Sequence, residues 1–169
     1  IRHILEFRSA KIICDPFAGL GFLLEIVRQT TSAKKSIAFS MKNFDQQIIF
    51  DNHDWQFGSP LELLDDLNDH LDVAVSNLPF GLPPKKHNLI IKEKHTVELF
   101  GPLEQLILAN TTSKLRKDGI GLFVLSSSFF LNSSKQNSVL RNFNSIGCYV
   151  EAAFELPLRL FDTHAVTTY

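Results

Sequence analysis

Short apolar runs alternate with helix-like patterns along most of this chain, and this alternation constrains the fold more than any other feature. Strand-like runs stand at residues 11–14, 36–39, 53–57, 73–75, 121–125 and 149–155. Apolar residues recur at helical spacing at residues 20–29, 44–49, 60–67, 97–115 and 135–143, and residues 4–8 resemble the end of a helix. Strands that alternate with helices form a parallel sheet covered on both faces, so the sequence predicts a doubly wound α/β fold.

Two segments carry more specific local signals. Residues 82–94 contain two prolines and several lysines, and their length and composition predict a mobile loop that faces the substrate. Gly119 follows the helical pattern at 97–115 and is predicted to adopt the left-handed conformation of a helix cap.

Composition bounds the class of protein. The chain has 169 residues, 44% of them hydrophobic, enough for one domain with a sizeable core. No apolar run approaches the ~20 residues of a membrane span, and no secretory signal is evident. The chain begins with Ile1 rather than Met and ends in what resembles an unfinished strand. We therefore expect residues 1–169 to be one domain cut from a longer protein.

The net charge and the positions of the cysteines further limit the class of protein. The net charge is −1, from 17 basic and 18 acidic residues, whereas a module that binds nucleic acid alone is usually more basic. Cys14 and Cys148 lie in apolar runs, which indicates buried thiols of a cytoplasmic protein rather than a disulfide. The six histidines lack metal-ligand spacing, so no metal site is predicted.

The first motif, Asp-Pro-Phe-Ala-Gly-Leu-Gly at residues 15–21, follows the first strand and opens a helix. Ligands of open α/β sheets bind at the carboxyl ends of the strands, and glycines allow a ligand to approach the backbone closely. The motif has neither the Lys-Ser/Thr of a P-loop nor the Gly-x-Gly-x-x-Gly spacing. An acidic residue before Gly-x-Gly suits a ligand with a cationic amine. The alternative is a turn that merely needs glycine.

The second motif, Ser-Asn-Leu-Pro-Phe-Gly at residues 76–81, follows the fourth strand. Asn77 offers a side-chain carbonyl acceptor, and Phe80 an aromatic face, which together suit a site that binds a flat, amino-bearing ring. The alternative is a plain turn with a buried phenylalanine.

In this order, the two motifs resemble those of the adenine-N6 DNA methyltransferases, and most of all the modification subunits of type I restriction systems. Those enzymes use Asp-Pro-x-x-Gly-x-Gly for S-adenosylmethionine and Asn-Pro-Pro-Phe/Tyr for the target base. Residues 115–119 and 155–168 also resemble stretches of that family. The resemblance implies a mostly parallel seven-stranded sheet of the S-adenosylmethionine-dependent methyltransferase type, with strands six and seven antiparallel and the last strand truncated.

The same resemblance implies N6-methylation of adenine in DNA within a restriction-modification system. It implies DNA contacts made through regions outside this chain, and specificity and restriction subunits as partners. The implied catalytic residues are Asn77, Leu78, Pro79 and Phe80. The implied cofactor-binding positions are Asp15, Pro16, Phe17, Ala18, Gly19, Gly21, Ser40 and Ser59.

Three positions depart from the family pattern. Leu78 stands where proline is usual, Ser40 where an acidic residue binds the ribose, and Ser59 where an aspartate is common. Asp54 lies nearby in the sequence and is the alternative at this last position. These departures favour a second hypothesis, a degenerate non-catalytic domain that serves assembly or DNA docking. Retained Asp15 and Asn77 favour catalysis. A third hypothesis is a methyltransferase that acts on an RNA base or on a protein glutamine.

Overall fold

A computed structural model of the chain describes residues 5, 9–42, 50–68, 70–91, 95–131 and 139–156. The elements run in the order β1 (Ile12–Asp15), α1 (Phe22–Thr31), β2 (Lys35–Ser40), β3 (Asp54–Phe57), α2 (Pro60–Asp66), β4 (Leu71–Asn77), β5 (Pro84–Ile91), β6 (His95–Pro102), α3 (Leu103–Ser113), β7 (Leu115–Val124), α4 (Ser128–Leu131) and α5 (Val139–Ile146). Three predicted elements lie outside the described residues: the helix at 44–49, the seventh strand and, apart from Leu5, the helix end at 4–8.

Five strands form the main sheet, in the order β3-β2-β1-β4-β7. The pairs β1–β2, β1–β4 and β2–β3 are parallel. The chain adds β2 and then β3 on one side of β1, and β4 then pairs with the other side of β1. The predicted α/β fold with a mostly parallel central sheet is confirmed.

The central strands are buried on both faces. Ile13 of β1 and Val73 of β4 are register partners and pack in one cluster with Leu24 and Val27 of α1. Side chains alternate along a strand, so the next residues, such as Cys14, turn to the other face, where they are equally buried. This double burial explains why the strands appear in the sequence as continuous apolar runs.

A buried carboxylate connects the amino ends of β1, β4 and β7. Asp72 of β4 accepts hydrogen bonds from the backbone N–H groups of Lys11 and Ile12, at 2.8 and 2.7 Å, and pairs with Arg116 of β7. Burial alone would raise the pKa of Asp72. The two N–H donors and the Arg116 charge outweigh burial and lower the pKa. Asp72 therefore joins β1, β4 and β7 at the edge opposite their carboxyl ends.

The chain divides into two compact units. Unit 1, residues 1–77 and 110–123, holds the main sheet with α1 and α2. Unit 2, residues 78–109 and 124–169, holds the antiparallel pair β5–β6, most of α3, and helices α4 and α5. Within unit 2, α5 packs against α4 and β6, and the Phe129 and Phe143 rings meet edge to face with centroids 5.9 Å apart.

Two sequence predictions between residues 82 and 115 are wrong. The segment predicted as a loop at 82–94 contains β5, and the helix predicted over 97–115 begins only at Leu103, because its first part is β6. In the pair, Leu89 and Leu99 are buried while Ile90 and Phe100 are exposed. Strand pairing of this kind depends on a partner distant in sequence, which the prolines and lysines of the segment do not reveal.

Predicted features of the C-terminal half also need correction. Gly119 does not have a positive φ; the neighbouring Asp118 does, at 63°. A Cβ on Gly119 would lie 2.9 Å from the Arg116 carbonyl oxygen, so glycine permits close backbone approach there rather than a helix cap.

The predicted strand at 149–155 is absent from this described segment, which leaves Tyr149 and Phe154 exposed. A strand requires a hydrogen-bonded partner, and the described chain supplies none for this segment. The described residues thus divide seven strands between a five-stranded and a two-stranded sheet rather than one seven-stranded sheet. Cys14 is buried as predicted, whereas Cys148 is only half-buried; neither forms a disulfide.

Replacing Asp72 with alanine should lower the free energy of unfolding by roughly 1–3 kcal/mol at pH 7, because two backbone N–H groups lose their buried acceptor. A lowered pKa contributes stability above the unfolded value of 3.8, and this contribution is lost as pH falls through the folded value. Urea titrations should therefore show the difference shrinking below about pH 4. Exposed Asp51→Ala is the control. An equal effect of both substitutions at pH 7 would contradict the account.

Candidate functional site

The carboxyl ends of β1 and β4 lie side by side where the strand order reverses. β1 pairs with β2 on one side and with β4 on the other. Ligands of open α/β sheets bind in the crevice at such a point. β1 ends at Asp15 and β4 at Asn77, so both predicted motifs begin at this edge of the sheet.

Asp15 joins these two strand ends. It is 1% exposed. Its Oδ1 accepts a hydrogen bond from the Ser76 hydroxyl at 2.7 Å and another from the Phe17 N–H at 2.9 Å. The first bond ties β1 to β4 directly before Asn77, and the second closes the turn that follows β1. Asp15 thereby fixes the spacing between the two motifs.

Burial changes the acidity of the Asp15 carboxyl group. It raises the pKa of Asp15 from 3.8 to about 7, although the hydrogen bonds from Ser76 and Phe17 act in the opposite direction. Near neutral pH the carboxyl group is thus divided between its neutral and anionic forms. The predicted contact of Asp15 with a ligand amine stays a prediction, since the bonds described for Oδ1 are made to the protein.

The glycine loop, residues 15–21, depends on two left-handed glycines. Gly19 has φ 55° and is exposed, and a Cβ there would meet no atom within 4 Å. Gly21 has φ 86° and is buried, and a Cβ there would lie 3.0 Å from the Trp55 ring. Glycine is therefore needed for conformation at both positions and for space at Gly21. Open space beside Gly19 leaves backbone accessible to a ligand.

The rest of the loop is anchored to the sheet. Ala18 is buried and its N–H donates to the Phe39 carbonyl at the end of β2, at 2.9 Å. Pro16 is buried and Phe17 half-buried. The Gly21 N–H returns to the Ala18 carbonyl at 2.8 Å, and the Gly21 carbonyl accepts the Glu25 N–H that starts α1. The loop is therefore a rigid connection between β1 and α1.

The amide loop, residues 77–81, continues from β4. Asn77 is exposed, Leu78 is 1% exposed, and Pro79 and Phe80 are half-buried. The boundary between units 1 and 2 falls after Asn77. The loop ends at Gly81, whose φ of 74° is left-handed. The Asn77 side chain can thus contact a ligand from solvent, while burial of the neighbouring Leu78 side chain anchors the backbone beside it.

The two predicted serines have local roles. Ser40, at the end of β2, is buried, and its hydroxyl donates to the Lys42 carbonyl at 2.9 Å and accepts the Lys42 N–H at 3.2 Å. Ser59 precedes α2 and makes no side-chain cap bond. Their assignment to the cofactor stays a prediction.

Sequence reasoning missed Ser76 and a polar cluster behind Gly21. Only the register of β1 against β4 brings Ser76 to Asp15, and a sequence carries no register between distant strands.

The polar cluster behind Gly21 is centred on Glu25, whose carboxylate accepts hydrogen bonds from Arg28, Gln29 and Asn52. The Arg28 bonds in particular lower the pKa of Glu25 to about 2. This cluster fixes the start of α1.

The Trp55 ring lies beside Gly21, and its indole N–H donates to the Phe50 carbonyl at 2.7 Å. It also packs against the apolar cluster of α1 and β1. These contacts support a packing role for Trp55.

Within the described ranges, no group of three or more His, Cys, Asp or Glu side chains is arranged to hold a metal ion. No described helix is both long enough and apolar enough to span a bilayer.

No protein-family model matches the chain, and neither does any curated protein. Among solved structures it is similar to a Listeria monocytogenes protein assigned to the class I S-adenosylmethionine-dependent methyltransferases, with 19% identity and a TM-score of 0.67 over 99% of this chain. It is also similar to an rRNA methylase from Streptococcus thermophilus, with 17% identity and a TM-score of 0.50. The chain has the fold of the class I methyltransferases.

These similarities cover different shares of the two proteins. The chain spans 54% of the Listeria protein and 89% of the Streptococcus methylase. They confirm the methyltransferase-type fold expected from the resemblance, and the assignment to type I modification subunits stays a prediction.

The raised pKa of Asp15 predicts an unusual pH dependence of stability. The folded state binds the Asp15 proton more tightly than the unfolded state, so this group's contribution is present below pH 3.8 and is lost as pH rises to about 7. Asp15→Asn, which cannot ionise, should gain stability relative to the wild type across this window, by at most about 4 kcal/mol.

Urea titrations at pH 5 and pH 8 measure this difference. Asp72→Asn is the matched control, because the pKa of Asp72 is shifted the opposite way. A stability difference between Asp15→Asn and wild type that stays constant from pH 5 to pH 8 would contradict a buried, ionising Asp15.

Proposed function

We propose that this chain is a methyltransferase domain that binds S-adenosylmethionine at the glycine loop and transfers the methyl group to an amino group held by the amide loop. The observation that carries the proposal is the Asp15–Ser76 hydrogen bond, which joins the starts of both loops at the reversal point of the sheet. The methyltransferase fold of the chain agrees with this assignment.

The residues present fit the cofactor. S-adenosylmethionine carries a cationic amine and a sulfonium, and the ionised form of Asp15 places a negative charge beneath the loop that is to receive it. Open space at Gly19 permits close approach to the backbone. On the ribose side Ser40 stands in place of a carboxylate. Its hydroxyl is buried and already donates to the Lys42 carbonyl, and a neutral hydrogen bond is weaker than a charged one.

The amide loop provides the groups that would hold the target amino group. An amino group on an aromatic ring is a poor nucleophile, because its lone pair is delocalised into the ring. The Asn77 side-chain carbonyl and the Leu78 backbone carbonyl are acceptors for its two N–H bonds, which favours the geometry in which nitrogen attacks. Phe80 offers a ring face for stacking. When bound, the cofactor would supply an electrophilic methyl group, with the sulfonium C–S bond broken, S-adenosylhomocysteine as leaving group and the extra proton of the amino nitrogen passing to solvent. Holding both partners in place would supply much of the rate.

Leu78 compensates for the missing proline of the family pattern. Pro79 restricts Leu78 to extended conformations, and the Leu78 side chain is buried. Both constraints hold the Leu78 carbonyl in place without a proline ring at position 78.

Adenine N6 in DNA is the substrate we propose, within a cytoplasmic restriction-modification system. Because the net charge of the chain is −1, regions outside it would provide most contacts to phosphates, together with specificity and restriction subunits. An RNA base is the second candidate, supported by the similarity to an rRNA methylase across 89% of that protein.

Cofactor affinity should depend on the ionisation of Asp15. S-adenosylmethionine binds the anionic form better, so titration calorimetry should show affinity rising by about 10-fold between pH 6 and pH 8. Asp15→Asn should bind more weakly and without this pH dependence. Equal affinity of both proteins at pH 8 would remove Asp15 from the cofactor site. Absence of binding at millimolar cofactor would favour a non-catalytic domain.

Asn77→Ala should reduce methyl transfer by on the order of 100-fold, because the reacting amino group loses one preorganised acceptor. Cofactor affinity should not change. Mass spectrometry of adenine-containing duplex DNA and of single-stranded RNA, each incubated with the protein and S-adenosylmethionine, measures the product and separates the two substrates. Exposed Asn68→Ala is the control. Undiminished turnover of Asn77→Ala would exclude Asn77 from the mechanism.

A further inference from the structure

The antiparallel pair β5–β6 of unit 2 has one packed face and one face exposed to solvent. Leu89 and Leu99 are buried, and α5 packs against β6. Side chains alternate along each strand, so the residues on either side of these leucines share the opposite face. This opposite face, the ribbon face, consists of three register pairs whose six members are all exposed: Lys86–Phe100, Asn88–Glu98 and Ile90–Thr96.

A cation and an aromatic ring stand together on the ribbon face. Lys86 and Phe100 are directly opposite each other across the strand pair, which places their Cβ atoms about 5 Å apart. The Lys86 side chain is 70% exposed, and Phe100 is 41% exposed. This combination suits single-stranded nucleic acid, because the cation contacts a phosphate while the ring stacks on an unpaired base.

The charge of this part of the chain favours a polyanion as the partner. Residues 84–102 contain four lysines and two glutamates, a formal charge of +2, whereas the whole chain has −1. Glu98 is the only acidic member of the ribbon face, and its Oε1 lies 3.4 Å from the Lys86 Nζ. An ion pair between two exposed side chains contributes little to stability. A phosphate can therefore replace Glu98 as the partner of Lys86.

The ribbon face begins close to the amide loop along the chain. β5 starts at Pro84, three residues after Gly81, which ends the amide loop. Lys86–Phe100 is the ribbon-face pair nearest to this end of β5. The chain from Phe80 to Lys86 spans at most about 22 Å, the length of about six nucleotides at 3.4 Å each. The pair can thus contact only nucleotides that closely flank a base bound at the amide loop.

We infer that the ribbon face binds the DNA strand that carries the target adenine, with Lys86 on a phosphate and Phe100 stacked on a base beside the target. The inference rests on the proposed function. An adenine extruded from a duplex leaves a gap in the base stack, and an aromatic ring can replace the lost stacking contact. The ribbon face thereby supplies this chain's own share of the DNA contacts, in addition to those from regions outside it.

Fluorescence anisotropy of the full chain with a labelled, adenine-containing single-stranded DNA of about 12 nucleotides measures this binding without turnover. Lys86→Gln should bind more weakly, and the slope of log affinity against log salt should become shallower by about 0.7, the value of one phosphate contact on a single strand. Phe100→Ala should lose affinity by about 10-fold, the scale of one stacked base. Glu98→Gln should bind more tightly, because the competing carboxylate is removed.

Lys34→Gln and Phe154→Ala are matched controls, because each removes the same type of exposed side chain from a site outside the ribbon face. Both should keep the wild-type affinity and salt slope. Losses as large in these controls as in Lys86→Gln and Phe100→Ala would overturn the inference. If Phe100→Ala fails to fold, the opposite effects expected of Lys86→Gln and Glu98→Gln, both at exposed positions, decide alone.

Two further outcomes would also overturn the inference. Absence of DNA binding by the wild type at low salt would leave a protein partner as the occupant of the exposed Ile90 and Phe100. Tighter binding of a single-stranded RNA of the same sequence would overturn the assignment to DNA.

Failure of the proposed function is recognised separately, by absence of methyl transfer in the wild type. The anisotropy measurements need no turnover, so they decide on the ribbon face in that event too. Where methyl transfer occurs, Lys86→Gln should raise the KM for DNA and leave kcat unchanged. An unchanged KM would overturn the ribbon-face inference while the proposed function stands.

Discussion

The hydrogen bond between Asp15 and Ser76 is the contact on which the geometry of the candidate site depends. It joins the carboxyl ends of two strands that are 61 residues apart in the chain, at the one place where the strand order reverses. Each motif begins at one of its two partners. The rigid glycine loop and the exposed Asn77 therefore have a fixed relation within unit 1, as the proposed methyl transfer requires.

The two buried aspartates of the sheet act in opposite ways. Asp72, at the amino edge, accepts two backbone N–H groups and pairs with Arg116, so its ionised form stabilises the fold. Asp15, at the carboxyl edge, has no described cation beside it, and burial raises its pKa. Its ionised form destabilises the unliganded protein and suits a cationic ligand. This contrast is typical of functional sites, where stability and ligand binding make different demands on a charged group.

Much of this fold and site could be predicted from the sequence, because the signals are local. The apolar run at Ile12–Asp15 and the glycines that follow it indicate a buried strand and a left-handed turn without any distant partner. The pair β5–β6 could not be predicted in this way, since its exposed face carries Lys86 and Phe100 and only cross-strand pairing explains the pattern. Ser76 was missed for the same reason. Its importance comes from a contact with a residue distant in sequence, Asp15.

We propose that the carboxyl edge of β1 and β4 binds the methyl donor. A nitrogen-15 NMR titration of the chain with S-adenosylhomocysteine, the demethylated product, can detect this binding residue by residue. We expect chemical-shift changes at the backbone amides of Gly19 and Gly21, with smaller changes at the Asn77 side-chain amide. Amides near Asp72, at the opposite edge, should not shift. Shifts confined to that opposite edge, or none in the glycine loop at millimolar ligand, would contradict the account.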